Sequence, residues 1–358
     1  MNAKIAWMMM AGTLLVSCGE DPVEEATSCT EGTRILALGQ KFGSGADEGS
    51  SSLDLIGCGK VQAHDPSLGM PARSDVAIDL AGGNVYVLDR AKGVVSGFVG
   101  SDLSKNFLDQ NVGGAANPYG VARLGDHLWV ARYGSSHLLG IPFGDAKADS
   151  IDLSSFADTS TVVPRMMAAK VWKGKLVVPV QRLDKNWTAT DSSLVLVIDV
   201  ATSKVEKRIA LPFRNPEDVD QRGDLLALAC LGGYGAAPDG GLAVVDLAKG
   251  VVSAAISGDL LGGDPARVAF TSNDRVWAAL YVKYPTYKAL PIDLSTKKVG
   301  SFFPQSDAVG DLAFDGASLW IANHDDKSPK VYRLDPATGD MTGEYATRLA
   351  PGQLLVLP

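Results

Sequence analysis

Histidine and cysteine are scarce in this sequence, and no long segment has the apolar period of a helix. There are 4 His and 4 Cys among the 358 residues, and neither the Gly-x-Ser-x-Gly elbow of serine hydrolases nor the His-Glu-x-x-His motif of zinc proteases occurs. The net charge of −8 is spread along the chain, without the clustered basic patch that nucleic-acid binding requires. We therefore expect almost no helix, no cofactor and no nucleic-acid partner.

Short apolar segments are abundant instead, and they repeat. Seven of them share a polar first residue followed by an apolar run, which is typical of buried strands. They are residues 34–40 (RILALGQ), 84–90 (NVYVLDR), 127–133 (HLWVARY), 175–181 (KLVVPVQ), 224–230 (DLLALAC), 275–281 (RVWAALY) and 318–324 (SLWIANH). Consecutive copies begin 43 to 51 residues apart, and a period of this length predicts one propeller blade per repeat.

Further short strands flank each copy. A second strand follows it, such as 330–335 (KVYRLD), and another often precedes it near a proline, such as 118–124 (PYGVARL) and 164–171 (PRMMAAKV). Four short strands per repeat predict an all-β, seven-bladed β-propeller of four-stranded antiparallel blades over residues 33–358. The first copy has no preceding strand, whereas the tail 350–358 (APGQLLVLP) resembles one. We therefore predict that the C-terminal strand pairs into the first blade and closes the ring.

The repeats resemble those of the YVTN family, whose blades read V-Y-V-T-N, then V-S-V-I-D and glycine. The resemblance is carried by NVYVLDRAKGVVSGF from Asn84, SLVLVIDVATSKV from Ser193 and SLWIANHDDKSPKVYRLDPATG from Ser318. It implies a seven-bladed propeller that is often secreted or attached to a surface. It does not imply one activity.

The N-terminus is typical of an exported chain. Residues 1–17 carry Lys4 and then a short apolar run, which predicts a signal peptide too short to be a mature transmembrane helix. Residues 15–18 (LVSC) resemble the lipobox of bacterial lipoproteins, which implies acylation of Cys18, for example with palmitate, and membrane attachment through that lipid anchor. Gly19 then favours the outer membrane by the sorting rule of that family, with the periplasmic and surface faces both open. Residues 18–32 are acidic and aperiodic, as expected of a tether.

Export also bears on the remaining cysteines. Cys29 precedes the first repeat strand and Cys58 ends the strand after it, so we predict that the two form a disulfide in an oxidising compartment. Cys230 lies in a repeat strand with no obvious partner, and we expect it to be a small buried apolar residue. No cysteine spacing resembles a zinc site.

One face of a propeller should carry the functional residues. Strand directions alternate within a blade, so the starts of the innermost strands and the ends of the next strands share a face with the longer loops, where scaffolds usually present binding groups. The candidate ligand-binding residues there are Asp75, Tyr133, Trp187, Asp218, Tyr234, Arg267, Tyr281, Tyr284, Asp311 and His324. Such a polar ring is also compatible with a hydrated structural network.

Two functions remain open on these residues. The first is a monomeric, membrane-tethered propeller that acts as a non-catalytic binding or scaffold module for a protein or cell-envelope ligand. The second is a metal-dependent, lactonase-like or other hydrolase that uses the channel mouth. His324, Asp311 and Asp218 would hold its divalent cation, although residues 324–326 are also compatible with a solvated turn.

Overall fold

The chain folds into seven sheets of four strands each. The computed structural model describes residues 33–43, 49–57, 60–64, 75–144, 147–189, 191–233 and 237–358. Within these ranges all sheets are antiparallel and together form a β-propeller, which confirms the predicted fold class and blade number. Helix is confined there to one 3-10 turn, Ser154–Phe156, and one α-helical turn, α1 (Gly258–Leu261). No helix in the described ranges is long and apolar enough to cross a membrane.

The four strands of each blade run in order from the innermost to the outermost. Blade 1 contains β28 (Pro351–Leu357), β1 (Arg34–Lys41), β2 (Ser50–Gly57) and β3 (Lys60–His64). Blade 2 contains β4 (Val76–Ala81), β5 (Asn84–Asp89), β6 (Val94–Val99) and β7 (Asp102–Asn111), and blade 3 contains β8 (Pro118–Leu124), β9 (His127–Arg132), β10 (His137–Pro142) and β11 (Asp149–Asp152). Blade 4 contains β12 (Lys170–Trp172), β13 (Lys175–Val180), β14 (Leu194–Asp199) and β15 (Lys204–Ala210), and blade 5 contains β16 (Pro216–Arg222), β17 (Leu225–Cys230), β18 (Gly241–Asp246) and β19 (Val251–Ser257). Blade 6 contains β20 (Asp264–Ser272), β21 (Arg275–Lys283), β22 (Thr286–Asp293) and β23 (Lys298–Val299), and blade 7 contains β24 (Val309–Phe314), β25 (Leu319–Asn323), β26 (Lys330–Leu334) and β27 (Met341–Ala346).

The two ends of the chain meet in blade 1. β28 pairs antiparallel with β1, so that Arg34 lies opposite Leu357 and Ala37 opposite Leu354. This register confirms the predicted closure. The pairing also covers an edge of β1 that would otherwise present free backbone N–H and C=O groups.

The hydrophobic core lies between neighbouring blades. Successive side chains of a strand point to opposite faces of its sheet, and a blade between two neighbours buries both faces. Trp129, Trp277 and Trp320 recur at one repeat position and are almost fully buried in three separate clusters between blades, as predicted. Cys230 is fully buried with a free thiol, and burial raises the pKa of that thiol.

Blade 4 departs from the predicted strand pattern. The sequence predicts an inner strand over residues 164–171, but the regular strand β12 covers only Lys170–Trp172, and Met166 forms an isolated bridge with Val180. Arg165 has a φ of 62° in the left-handed region, but Asn117 and Asn215 have similar values directly before the regular inner strands of blades 3 and 5. In blade 4 regular pairing begins only at Lys170.

Two faces of the propeller differ in their connections. We call the face on which the inner strands begin and the second strands end the mouth face, and it includes the long segments 153–169, 181–189 and 300–308. The opposite turn face carries short turns such as Gly82–Gly83, where glycine adopts φ values of 58° and 78° without steric cost. The longer connections therefore lie on the mouth face.

Candidate functional site at the mouth of the central channel

The inner strands surround a polar central channel. Its cavity has a volume of about 350 Å³ and is lined by residues from all seven inner strands. The ionisable side chains in its wall, apart from Tyr119, are Asp79, Arg90, Lys170, Glu217, Asp218, Asp220, Arg267 and Asp311. Five of these eight carry carboxylates, so acidic groups outnumber basic ones.

Carboxylates in the channel connect one blade to the next. The inner strand of each blade has no strand partner on the channel side, so its N–H groups need other acceptors. Side-chain oxygens from the preceding blade accept these bonds: Asp79 Oδ2 from Val121 N–H (2.8 Å), Asp218 Oδ2 from Val268 N–H (2.9 Å), Asp220 Oδ2 from Phe270 N–H (2.7 Å), Asp311 Oδ2 from Leu354 N–H (2.7 Å) and Gln353 Oε1 from Ile78 N–H (2.9 Å). The polar ring predicted from the sequence therefore holds the blades in register.

Burial perturbs the ionisation of these groups. Loss of hydration raises the pKa of Asp218 and of Asp220 above the ordinary value. Burial and the nearby Asp218 raise the pKa of Asp311 to about 7, against the opposing effect of Arg267. Burial alone would lower the pKa of Arg267, but the surrounding carboxylates, beginning with Asp218, raise it. Arg267 also donates from Nε to the Gly310 carbonyl at 3.0 Å, which joins blades 6 and 7.

An array of stacked rings borders the channel on the side of blades 2 to 4. Tyr119 stacks on Tyr133 with ring centroids 4.6 Å apart, and Tyr133 stacks on Trp187 at 5.9 Å with an interplanar angle of 18°. We call these three side chains the aromatic row. Tyr133 Oη donates to Gln181 Oε1 at 2.6 Å, and the Gln181 amide donates to the Pro216 carbonyl at 2.9 Å, which fixes the row to blades 4 and 5.

Two arginines flank the aromatic row. The Arg90 guanidinium lies over the Tyr119 ring at 4.3 Å, and the Arg165 guanidinium lies over the Trp187 ring at 3.8 Å and 5.4 Å from the Tyr133 ring. Such contacts use the attraction between a cation and the negative face of an aromatic ring. The row is thus bounded by positive charge, while 58% of Trp187 is exposed to solvent.

Solved structures similar to this chain include proteins described by unrelated activities. A Bacteroides fragilis structure assigned as a 6-phosphogluconolactonase matches with a TM-score of 0.61 at 14% identity, covering 92% of this chain and 99% of that one. Apo AztD from Citrobacter koseri matches with a TM-score of 0.53 at 13% identity, covering 90% and 98%. The dihydro-heme d1 dehydrogenase NirN in complex with DHE matches with a TM-score of 0.57 at 14% identity, covering 91% and 75%.

These likenesses show the fold alone. At 13 to 14% identity they carry no residue roles across to this chain. No family model and no curated protein matches the sequence. The function therefore has to be argued from the site itself.

The structure separates the predicted site residues into groups. Asp218, Arg267 and Asp311 meet in the channel, and Tyr133 and Trp187 share the aromatic row. Tyr281 accepts a hydrogen bond from the Tyr284 backbone N–H at 3.2 Å on the blade 6 side of the mouth face, and Asp75 lies 3.8 Å from Arg90. Tyr234, Cys18, Cys29 and Cys58 lie outside the described residues, so their predicted roles stay predictions.

His324 does not join the channel carboxylates in a metal site. It is exposed just beyond β25, with Nδ1 facing Gly352 on the closing strand. Within the described ranges, no group of three or more His, Cys, Asp or Glu side chains is arranged to hold a metal ion. The three-residue cation site considered in the sequence is therefore not assembled in this part of the chain.

Sequence reasoning missed three members of the site. Arg90, Tyr119 and Arg165 complete the array around the aromatic row, but the candidate residues do not include them. Arg90 does end a repeat strand, which was a usable signal. Arg165 had no such signal, because its position depends on a backbone conformation that the pattern of apolar residues does not encode.

Proposed function

We propose that this chain is a lipid-anchored, non-catalytic binding protein of the cell envelope that holds its ligand at the mouth face. The observation that carries the proposal is the aromatic row, bounded by Arg90 and Arg165, beside the open charged channel. Trp187 is the exposed member of this array, and an aromatic ring beside guanidinium groups is suited to planar, cyclic and anionic groups. The rigid propeller presents them with little ordering cost on binding.

The distribution of exposed apolar side chains supports the same face. Among the described residues, seven of the eleven exposed large hydrophobic side chains lie on the mouth face: Phe42, Val162, Trp187, Leu260, Val282, Tyr284 and Phe302. Apolar contacts around a polar centre are the usual composition of a recognition surface. The ligand is accordingly a protein segment or an envelope component that reaches the channel mouth.

The attachment and the N-terminal disulfide belong to the same proposal. Acylated Cys18 places the propeller at the membrane, on the outer membrane by the lipobox resemblance, and residues 19–32 separate it from the lipid. A Cys29–Cys58 disulfide would stabilise the first blade by about 3 kcal/mol through restriction of the unfolded chain. Non-reducing peptide mapping of the exported protein tests this bond, and recovery of both residues as free thiols would reject it.

The binding face is tested by comparing the two faces directly. A photo-crosslinking amino acid is placed at Val162 or Tyr284 on the mouth face, which leaves the aromatic row intact, and at Met341 on the turn face as a matched exposed apolar control. After illumination in envelope extract, we expect crosslinked products at the two mouth-face positions and none at position 341. Products confined to position 341 would contradict the proposal.

A hydrolase is the second candidate function. The observation that favours it is the Asp311 carboxyl, because a pKa of about 7 suits a general acid or base at neutral pH. A panel of lactones and esters is offered to the wild-type protein and to Asp311→Asn, which retains an acceptor for the Leu354 N–H. Turnover by the wild type alone would favour the hydrolase, and no turnover by either would leave the binding protein.

A further inference from the structure

Arg165 is a buried cation without a polar partner. The residue is only 9% exposed, and its Nε is fully buried with no hydrogen-bond acceptor. No hydrogen bond or ion pair joins its side chain to any other described residue; its close neighbours are the rings of Trp187 and Tyr133. Buried charges are normally paired and hydrogen-bonded, because dehydration is costly.

A neighbouring arginine of similar burial does have polar partners. Arg182, 8% exposed, lies just beyond the end of β13 on the same blade. Its Nη1 donates to the Ser192 carbonyl at 2.8 Å and its Nη2 lies 2.6 Å from Asp191 Oδ2. Both arginines are similarly buried and both have a buried Nε without an acceptor, yet only Arg182 has polar partners at its terminal nitrogens, one of them an anion. The fold therefore supplies a carboxylate to one arginine in this loop region, and Arg165 lacks one.

The backbone at Arg165 is held in an unfavourable conformation. Its φ is 62°, and its carbonyl accepts from Gln181 N–H at 3.0 Å. The corresponding positions of blades 3 and 5 are Asn117 and Asn215, with φ of 49° and 58° and the same kind of bond. Asparagine tolerates the left-handed region and arginine does so poorly. Arg182 shares this conformation, with a φ of 59°, so the strain belongs to both loop arginines and does not by itself distinguish Arg165.

We propose that Arg165 and Trp187 form a subsite for an oxyanion of the ligand, a carboxylate or a phosphate group carried on a ring or other planar body. The planar guanidinium matches two oxygens of such a group, and the exposed part of the indole contacts the attached body. This inference rests on the proposed function, because it names the ligand chemistry of the same mouth face. The ligand then provides acceptors for the two terminal nitrogens of Arg165, whereas the fully buried Nε stays inside the protein.

Calorimetric titration of the purified full chain tests the subsite. The probes are phenyl phosphate, benzoate and inorganic phosphate, with uncharged benzyl alcohol for comparison. We expect phenyl phosphate or benzoate to bind and benzyl alcohol not to bind. Whichever of the two aryl anions binds more tightly shows whether the subsite prefers a phosphate or a carboxylate. Arg165→Gln and Arg165→Lys should each weaken that probe about tenfold or more, because one loses the charge and the other the planar fork.

Two further variants separate the subsite from general effects. Trp187→Ala should reduce the affinity for the aryl probe towards that for inorganic phosphate. Arg222→Gln is the matched control, since Arg222 is exposed on the turn face, and it should leave binding unchanged. Failure of the wild type to bind either aryl probe, or equal binding by wild type and Arg165→Gln, would overturn the proposal.

Thermal unfolding distinguishes a binding role from a structural one. Without ligand, Arg165→Gln should melt close to or above the wild-type temperature, because removal of a buried charge that has no anionic partner offsets the lost contacts with the Trp187 and Tyr133 rings. A fall of several degrees would assign Arg165 a structural role and overturn the subsite. If mouth-face crosslinking persists while anion binding fails, the subsite is wrong and the proposed function stands. If the anion binds but no mouth-face crosslinking occurs, the subsite stands and the proposed function is wrong.

Discussion

Two buried leucines of β28 report separately on the two interfaces that close the ring. Leu354 lies in the cluster between blades 1 and 7 together with Trp320, whereas Leu357 lies in the cluster between blades 1 and 2 together with Ile78. Residues three apart in a strand point to opposite faces of the sheet, which explains this division. Truncating either side chain should therefore weaken one interface and leave the other intact.

The expected losses follow from the burial of the two side chains. Leu354 is 5% exposed and Leu357 is 3% exposed, so Leu→Ala at either site should lower the free energy of unfolding by about 2–5 kcal/mol. Their Cα atoms are roughly 10 Å apart along the strand, and the two belong to different clusters, so the losses should add. The double variant would then lose about 4–10 kcal/mol, which approaches the whole stability of a typical domain.

Urea unfolding followed by circular dichroism measures these losses. Leu355→Ala is the control, since Leu355 lies between Leu354 and Leu357 but is only half-buried. Its urea midpoint should fall less than that of Leu354→Ala or Leu357→Ala. Deletion of residues 351–358 should exceed the single variants, because β1 also loses its backbone partner. Wild-type midpoints for Leu354→Ala and Leu357→Ala would refute the closure argument.

Three further predictions concern single side chains. Trp129→Phe should cost about 1 kcal/mol less than Trp277→Phe in urea unfolding, because Trp277 Nε1 donates to the Pro336 carbonyl at 3.2 Å whereas the buried Trp129 Nε1 has no partner; equal losses would contradict this. Because the pKa of Asp311 is raised from 3.8 to about 7, stability that is fully present below pH 3.8 should be lost as the pH rises through about 7. Asp311→Asn should flatten that slope in urea unfolding at a series of pH values, and an unchanged slope would count against it. Cys18→Ala should abolish incorporation of labelled palmitate, and equal label in both proteins would reject the anchor.

The fold was predictable because a propeller repeats its local physics. Each second strand is buried between two neighbouring blades, so seven apolar runs at a similar spacing are visible in one sequence. Ring closure was predictable for a related reason, since residues 34–40 lacked an inner partner and residues 350–358 lacked a blade. Both inferences use patterns that many residues share, and no single side chain decides them.

The site was only partly predictable, because it depends on single side chains that the repeat does not constrain. Tyr133 and Trp187 were found from strand ends and loop length, and they do stack. Arg165 was not found, since its place over Trp187 depends on a left-handed backbone within a segment predicted to be a strand. His324 was placed on the correct face, but proximity to Asp311 could not be deduced from the repeat geometry.

The hydrogen bonds of the channel decide which part of the site is free to bind a ligand. One carboxylate oxygen of Asp218 and one of Asp311 each accept a hydrogen bond from a backbone N–H of the next blade, at 2.9 and 2.7 Å. Removing these acceptors would leave buried donors unsatisfied, so the channel carboxylates are constrained by the ring itself. The side chain of Arg165 and the exposed part of Trp187 make no such hydrogen bond to another blade. Ligand recognition is therefore best supported at the aromatic row, while the channel keeps its blades aligned beneath it.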